Sequence, residues 1–480
     1  MIKEIINTIK QSFIYGLGNL SHQIVALILL PVYTRFLTPE DYGVMAVSGV
    51  LMTIIKYISE LGLRSAWTRF YKLEKTHSWT SKQVEDTAII MMIISTVIFG
   101  VLYIFCASLL SQFWFNSTKY TFVFLLSGLT LIIQVLFHIP QQRRKVAERP
   151  ASNMAHSLIV LFISIIIHIY LIVFLKWGLK GIYYGPLFTM IIVVLINLHS
   201  WIKLKWDFDK FLLFSMFKYS IPILVGNLSI WIINLSDRWV LNLFVSLEEI
   251  GIYQIGYRMG MGIGFVVIAF KTALPQISYR IAQDNSERKA KSFYSKIFFL
   301  YPVVCGLPVI ALSIFSNDLI MILTTEKFHS AFQIVPIVAL AYFFEGATTS
   351  VGMGIDIKGK TKYIPIFLAL AAIINIILNF IFVPKYGIVA AAWTSVIAYI
   401  IPFVGYAWVT NKFYFIKRDY GHFCRILGVI ILIVLIYSKT IPFLYIQLNS
   451  IGAKIALLFF AGITISFGVL RKSKSILKQI

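Results

Sequence analysis

A handful of charged residues stand inside long apolar stretches of this chain. A charge in hydrocarbon costs at least a few kcal/mol, so each one needs a reason. Lys56, Glu60 and Arg64 sit at i, i+4 and i+8, which puts them on one helix face about 40° apart per step. Measured from Gly43, Lys56 lies roughly 20 Å down that helix. One reading is a Lys56–Glu60 pair that neutralises itself in a helix bundle, with Arg64 at its edge. The other is a cationic wall for an anionic group, with Glu60 holding Lys56 in place. Further along, Gln254 and Arg258 share a face about 10 Å from a helix end. Arg258 is either a binding cation, its guanidinium matching phosphate oxygens in bidentate fashion, or a side chain snorkelling to the interface. Gly260, Gly262 and Gly264 follow it and favour a pliable, closely approached helix. Lys271 lies about 140° from Arg258 on an ideal helix. That angle favours an interfacial lysine, and a helix distorted at the glycines would return it to the cationic face.

A polar stripe of Asn227, Trp231, Asn234 and Arg238 runs along another apolar segment, with Asp237 beside Arg238 near its outer end. Asp237 and Arg238 are expected to bridge neighbouring helices. Asn19, Gln23 and Arg35 take the equivalent places on the first apolar segment, Arg35 as an interface anchor or a further cation. Glu345 stands alone before Gly346, Thr348, Thr349, Ser350, Gly352 and Gly354, a composition that predicts a broken helix. It could take up a proton in each cycle or serve as the counter-charge to Arg258 or Lys56. The eight histidines and three cysteines show no metal-ligand spacing, and there is no phosphate-binding P-loop. No cofactor and no direct use of ATP are expected; proton or sodium coupling through Glu345 or Glu60 stays open.

These residues need elements to hold them. The chain is 59% hydrophobic and 13% charged, and its apolar runs are near 20 residues long, the length a helix needs to cross the bilayer. The fold class expected is an all-α polytopic membrane protein with about 14 transmembrane helices: 13–36, 44–63, 88–110, 121–139, 154–175, 181–201, 219–242, 251–274, 296–316, 331–351, 363–383, 387–408, 422–438 and 453–470. With both termini cytoplasmic, the inner segments hold 31 of the 43 Lys and Arg residues and the outer loops seven. The remaining five are Arg35, Lys56, Arg238, Arg258 and Lys271. The net charge of +23 is thus spread over alternate loops, which excludes a nucleic-acid binder. The basic connections near 64–87, 202–218 and 275–295 are expected to lie on anionic lipid head groups.

The chain also repeats itself. Gly18-Asn19-Leu20-Ser21 recurs as Gly226-Asn227-Leu228-Ser229, 208 positions later, and Glu40-Asp41-Tyr42-Gly43 recurs as Glu248-Glu249-Ile250-Gly251 at the same offset. Lys180-Gly181-Ile182 is echoed by Tyr386-Gly387-Ile388. Two similar hydrophobic halves are a common transporter design. The expected divisions are a first lobe at 1–201, a cytoplasmic linker at 202–218, a second lobe at 219–410, and two further helices with a basic tail at 411–480.

Several stretches resemble a known family. Leu30-Pro31-Val32-Tyr33-Thr34-Arg35-Phe36-Leu37-Thr38-Pro39-Glu40-Asp41-Tyr42-Gly43 resembles the first-span exit of bacterial polysaccharide-export flippases. Ser59-Glu60-Leu61-Gly62-Leu63 and Asp237-Arg238-Trp239 followed by Glu249-Ile250-Gly251-Ile252-Tyr253 are similar to later landmarks. Lys360-Thr361-Lys362-Tyr363, Asn375, Asn379, Pro384-Lys385-Tyr386-Gly387 and Ala390-Ala391-Ala392 complete the match. The resemblance covers about residues 12–410. It is to the O-antigen, capsule and teichuronic-acid type of lipid-linked oligosaccharide flippase, within the multidrug/oligosaccharidyl-lipid/polysaccharide exporter superfamily. It implies two pseudo-symmetric six-helix lobes facing a central cavity and a bacterial cytoplasmic-membrane location. It also implies alternating-access export of a polyprenyl-pyrophosphate-linked oligosaccharide for surface polysaccharide assembly, among membrane lipids and alongside polymerases and glycosyltransferases. The expectation is a non-enzyme. The alternatives weighed are a cation-coupled drug exporter of the same superfamily, which calls for acidic rather than basic membrane charges, and a glycan polymerase, ligase or acyltransferase. Polymerases and ligases call for a sizeable outer loop that this chain lacks.

Overall fold

The computed structural model describes residues 28–72, 79–198, 205–284, 286–440 and 450–476. Asn19 and Gln23 lie outside them. The regular structure among the described residues is helical throughout, as a chain in lipid requires when its backbone must satisfy its own hydrogen bonds. Eleven helices there are long and apolar enough to cross a membrane, and they cover the second to the thirteenth expected spans. One of them, Tyr363–Phe413, has 51 residues, about 76 Å of ideal helix against about 30 Å of hydrocarbon. Gly387 interrupts it with φ 57° and ψ −139°, so two expected spans meet there. The last expected span falls in Ile451–Ile476, and of the first only residues 28–36 are described, with Leu30–Phe36 forming a helix.

Contacts divide the chain into two compact units, Met1–Asn242 and Leu243–Ile480. The first holds α1 (Leu30–Phe36), α2 (Pro39–Glu60), α3 (Leu63–Lys72), α4 (Ser81–Phe105), α5 (Ala107–Phe115), α6 (Thr121–Val146), α7 (Pro150–Ile169), α8 (Leu179–Ile196) and nearly all of α9 (Lys210–Phe244). The repeat seen in the sequence has a local physical meaning. Thr38 Oγ1 accepts from Asp41 N at 3.2 Å while Asp41 Oδ2 accepts from Thr38 N at 2.9 Å, a capping box that starts α2. Ser246 and Glu249 make the same reciprocal pair at the start of α10 (Leu247–Gly260) in the second unit. The glycine echo is shifted from the expected register. Gly178, with φ 52° and ψ −128° before α8, is the conformational counterpart of Gly387, and Gly181 is not.

The row Lys56, Glu60, Arg64 does not run along one unbroken helix. Leu61 and Gly62 both take positive φ, 51° and 67°, and end α2. A Cβ at Gly62 would sit 2.7 Å from the Ser220 backbone oxygen, so glycine serves both the turn and the close approach of α9. Past the break, α3 buries Leu63, Ala66, Trp67 and Phe70 against Val84 and Ile89 of α4, Val135 and Ile139 of α6, and Leu212 and Met216 of α9. The apolar face of this amphipathic segment is therefore packed on protein. Asp86 ties the following linker down: its Oδ2 accepts from Lys205 N at 3.1 Å and Asp207 N at 3.4 Å.

The second unit continues with α11 (Gly264–Asp284), α12 (Glu287–Ile314), α13 (Ser316–Leu323), α14 (Ile334–Ile357), α15 (Tyr363–Phe413), α16 (Tyr420–Tyr437) and α17 (Ile451–Ile476). Packed on α10, α11, α12, α15 and α16, α14 is the buried hub. Its Gly- and Ser-rich stretch does not break it. Thr348 and Ser350 bond back to the carbonyls of Glu345 and Ala347, at 2.6 and 2.7 Å. The glycines admit neighbours: a Cβ at Gly346 would meet the Tyr301 hydroxyl at 2.5 Å, and one at Gly354 would meet Thr410 Cγ2 at 2.5 Å. Asn375 and Asn379 join the two halves of α15 across the break. Asn379 Nδ2 donates to Asn375 Oδ1 at 3.2 Å, and Thr394 Oγ1 donates to Asn379 Oδ1 at 2.7 Å, all three residues buried.

Candidate functional site

In the first unit the candidate residues gather where α2 ends. Arg64 Nη1 lies 3.7 Å from Glu60 Oε1, so the acid is matched with Arg64 and the expected Lys56–Glu60 ion pair is not formed. Lys56, half-buried on α2, has neither an ion pair nor a hydrogen bond among the described residues. Glu60 and Arg64 share a small recess with Trp67, Met92, Val135, His138, Ile139 and Gln142. Gln142 Nε2 donates to Arg64 O at 3.1 Å and to Thr68 Oγ1 at 2.8 Å, which fixes the backbone at the break. Gln134 Nε2 and His138 Nε2 lie 3.1 Å apart. Gln134, His138 and Gln142 were missed from sequence, although a polar i, i+4, i+8 row on an apolar run was there to be read. Arg35 lies in the last turn of α1 and is exposed.

In the second unit, Arg258 is half-buried in the last turn of α10 and has no ion pair or hydrogen bond among the described residues. Gln254 stands one turn before it. Beyond Gly260 the chain tightens into a 3-10 turn, Met261–Ile263, before α11 begins. Two glycines make the close approach, and only one of them was expected. A Cβ at Gly256 would lie 2.6 Å from Ala331 O, and one at Gly260 would lie 2.7 Å from Val338 Cβ. Gly262 has only a 3.9 Å neighbour and Gly264 none. The working pair is therefore a Gly-x-x-x-Gly step, the spacing that lets helices approach closely.

The lone acid has a partner that neither sequence reading assigned. Lys271 Nζ lies 2.6 Å from Glu345 Oε1, so the two neutralise each other between α11 and α14. Lys271, still partly exposed, is thus held by an acid of the neighbouring helix. On α9, Asp237 and Arg238 are fully buried and paired at 2.6 Å, with Arg238 Nη1 also donating to Asn234 O at 2.6 Å. This pairing lies within one helix. Asn227 and Trp231 are half-buried further along it.

Among the described residues Lys56 and Arg258 form no ion pair, although the Glu60 charge still acts on Lys56, while Glu60, Asp237 and Glu345 each lie within ion-pair distance of a basic side chain.

A family model described as "Polysaccharide biosynthesis protein" matches residues 32–333. The chain is 25% identical over 240 residues to an uncharacterized membrane protein of Methanocaldococcus jannaschii, covering 47% of this chain and 46% of that one. It is 22% identical over 272 residues to Agl15 of Haloferax volcanii, a probable low-salt glycan biosynthesis flippase, covering 54% and 56%. The matches thus span about half the length of these curated relatives. Among solved structures, the lipid II flippase MurJ in an inward closed conformation superposes with a TM-score of 0.75 over 97% of this chain and 99% of that one, at 17% identity. An inward-facing multidrug resistance MATE family transporter of the MOP superfamily does so with a TM-score of 0.66 over 82% and 95%, at 14% identity. This multi-pass chain shares its fold with both.

Proposed function

The chain belongs to the polysaccharide biosynthesis protein family, and from that premise we propose that it is a flippase. It carries a polyprenyl-pyrophosphate-linked oligosaccharide from the inner to the outer leaflet of the cytoplasmic membrane, with both of its termini cytoplasmic. The observation that carries this reading is that, among the described residues, Lys56 in one unit and Arg258 in the other form no ion pair, while the intramembrane acids Glu60, Asp237 and Glu345 each do. A pyrophosphate head group supplies the missing negative charge, and Arg258 can take its oxygens in bidentate fashion. The lipid tail stays in hydrocarbon, since each CH₂ favours remaining there by about 0.8 kcal/mol. Only the sugar-phosphate head needs a polar path, exposed to one side of the membrane and then to the other. The matches to a probable glycan flippase and to the MurJ fold support the same reading.

The test uses cells that lack the gene. Complete lipid-linked saccharides should accumulate on the cytoplasmic leaflet while surface polymer is lost, and wild type should restore export. Arg258→Glu and Lys56→Glu, present in the membrane at normal levels, should not. Normal surface polymer in either variant overturns the assignment. Unchanged lipid-linked pools in the deletion, with altered drug tolerance, would transfer the protein to the drug exporters that share its fold.

A further inference from the structure

A basic cleft lies in the first unit, lined by residues other than Lys56. The end of α6, the face of α3 and the first turn of α4 enclose a cleft of about 370 Å³. Trp67 and Tyr71 form its aromatic wall, and its charged lining is Lys82, Glu85, Arg143, Arg144 and Arg149. Four cations thus face one carboxylate. One oxygen of that carboxylate takes three donors: Glu85 Oε1 accepts from Arg143 Nε at 2.9 Å and Nη2 at 2.5 Å, and from Lys82 Nζ at 3.1 Å. Lys82 is further drawn to Asp86, 3.0 Å away. At the rim, Lys72 holds the Glu148 carboxyl below its usual range, first by its hydrogen bond and then by its charge, so Glu148 is not free to neutralise the cleft.

Arg144 and Arg149 are left without a carboxylate. Arg144 Nη2 donates to Asn197 Oδ1 at 3.0 Å, while its Nη1 is buried with no acceptor among the described residues, as is Trp67 Nε1. Arg149 is exposed, and its side chain has no hydrogen bond or ion pair there. The cleft has a surplus of donors and positive charge, so its complement is an anion rich in acceptor oxygens. Arg143–Arg149 directly follow the apolar run of α6 on the side that the Lys and Arg distribution makes cytoplasmic, at the level of lipid phosphates.

We propose that this cleft binds the anionic phosphate head group of a lipid, with Arg144 and Arg149 as its principal ligands and Trp67 and Tyr71 as its apolar wall. Two sources carry that chemistry, a bulk anionic phospholipid and the pyrophosphate of a lipid-linked saccharide. The test measures binding of fluorescent phosphatidylglycerol to the purified full chain in neutral detergent, with inorganic pyrophosphate and phosphatidylcholine as competitors. Arg149→Glu should weaken binding roughly tenfold or more, as loss of a hydrogen bond to a charged group predicts, and its exposed position leaves folding intact. Arg144→Gln, checked by its melting temperature, should act in the same direction. Competition by pyrophosphate would assign the saccharide-linked head group, and failure of pyrophosphate to compete would assign bulk phospholipid; either supports the site. Equal binding by wild type and Arg149→Glu, or displacement by phosphatidylcholine as effective as by phosphatidylglycerol, overturns it. Neither result bears on Lys56 or Arg258, so the flippase reading stands or falls separately.

Discussion

Lys56→Met should make the protein more stable and inactive, whereas Lys271→Met should make it less stable. A lysine at the centre of a membrane helix costs about 2.5–3.5 kcal/mol on insertion scales. Glu60 attracts Lys56 without forming an ion pair with it, so it offsets that cost only in part. The side chain is half-buried, so a part of the cost is recoverable on substitution, about 1–2 kcal/mol. At about 2–4 °C per kcal/mol for a unit of this size, the melting temperature should rise about 2–8 °C. Lys271 lies 2.6 Å from Glu345, with side-chain exposures of 39% and 25%. Breaking a fully buried pair costs about 3–5 kcal/mol. This one is partly open, so about 1–2 kcal/mol is expected, with a fall of about 2–8 °C. Adding Glu345→Leu to Lys271→Met should recover most of that loss, because no charge is then stranded. Thermal unfolding of the purified variants in one detergent, beside export in deletion cells, reads both quantities. A lowered melting temperature for Lys56→Met would show that this lysine holds the fold together, and the argument for a binding cation would fail.

Three other expectations follow from single contacts. Gly256→Ala should cost about 1–3 kcal/mol by overpacking, because its Cβ would lie 2.6 Å from a backbone oxygen; Gly264→Ala, in open space, should be neutral or stabilising by up to about 1 kcal/mol, and equal melting of the two would contradict the assigned packing. Thr394→Val keeps the shape but removes the donor 2.7 Å from Asn379 Oδ1, so melting should shift down by about 2–4 °C per kcal/mol of a loss of about 1–3 kcal/mol; no shift would show that the asparagine finds another donor. Asp86→Ala frees the backbone N–H groups of Lys205 and Asp207, and trypsin should then cut after Lys205 or Lys210 about tenfold faster or more; an unchanged cleavage rate would refute the clamp.

Much of this protein was decided locally and could be read in order along the chain. Apolar run length makes spans, because hydrocarbon leaves the backbone no partner but itself. Thr38 with Asp41 and Ser246 with Glu249 start matching helices because a capping box is complete within four residues. The candidate cations were legible too, since a lysine or arginine in an apolar run is conspicuous by composition alone. What could not be read was partnership. Glu345 and Lys271 are 74 residues apart and Glu85 and Arg143 are 58 apart, and nothing in periodicity says which distant charges will meet. The same holds for the glycines. Composition made Gly346–Gly354 look like a break and Gly260–Gly264 like a pliable stretch. In the fold the first group admits Tyr301 and Thr410 into a continuous helix, and the working step in the second region is Gly256 with Gly260. A glycine's effect depends on what packs against it. The sequence by itself therefore determined the helices, their caps and the supply of membrane charges. Only the tertiary structure decided which charges pair, and that Lys56 and Arg258 form no ion pair among the described residues, because pairing requires side chains brought within about 4 Å by packing.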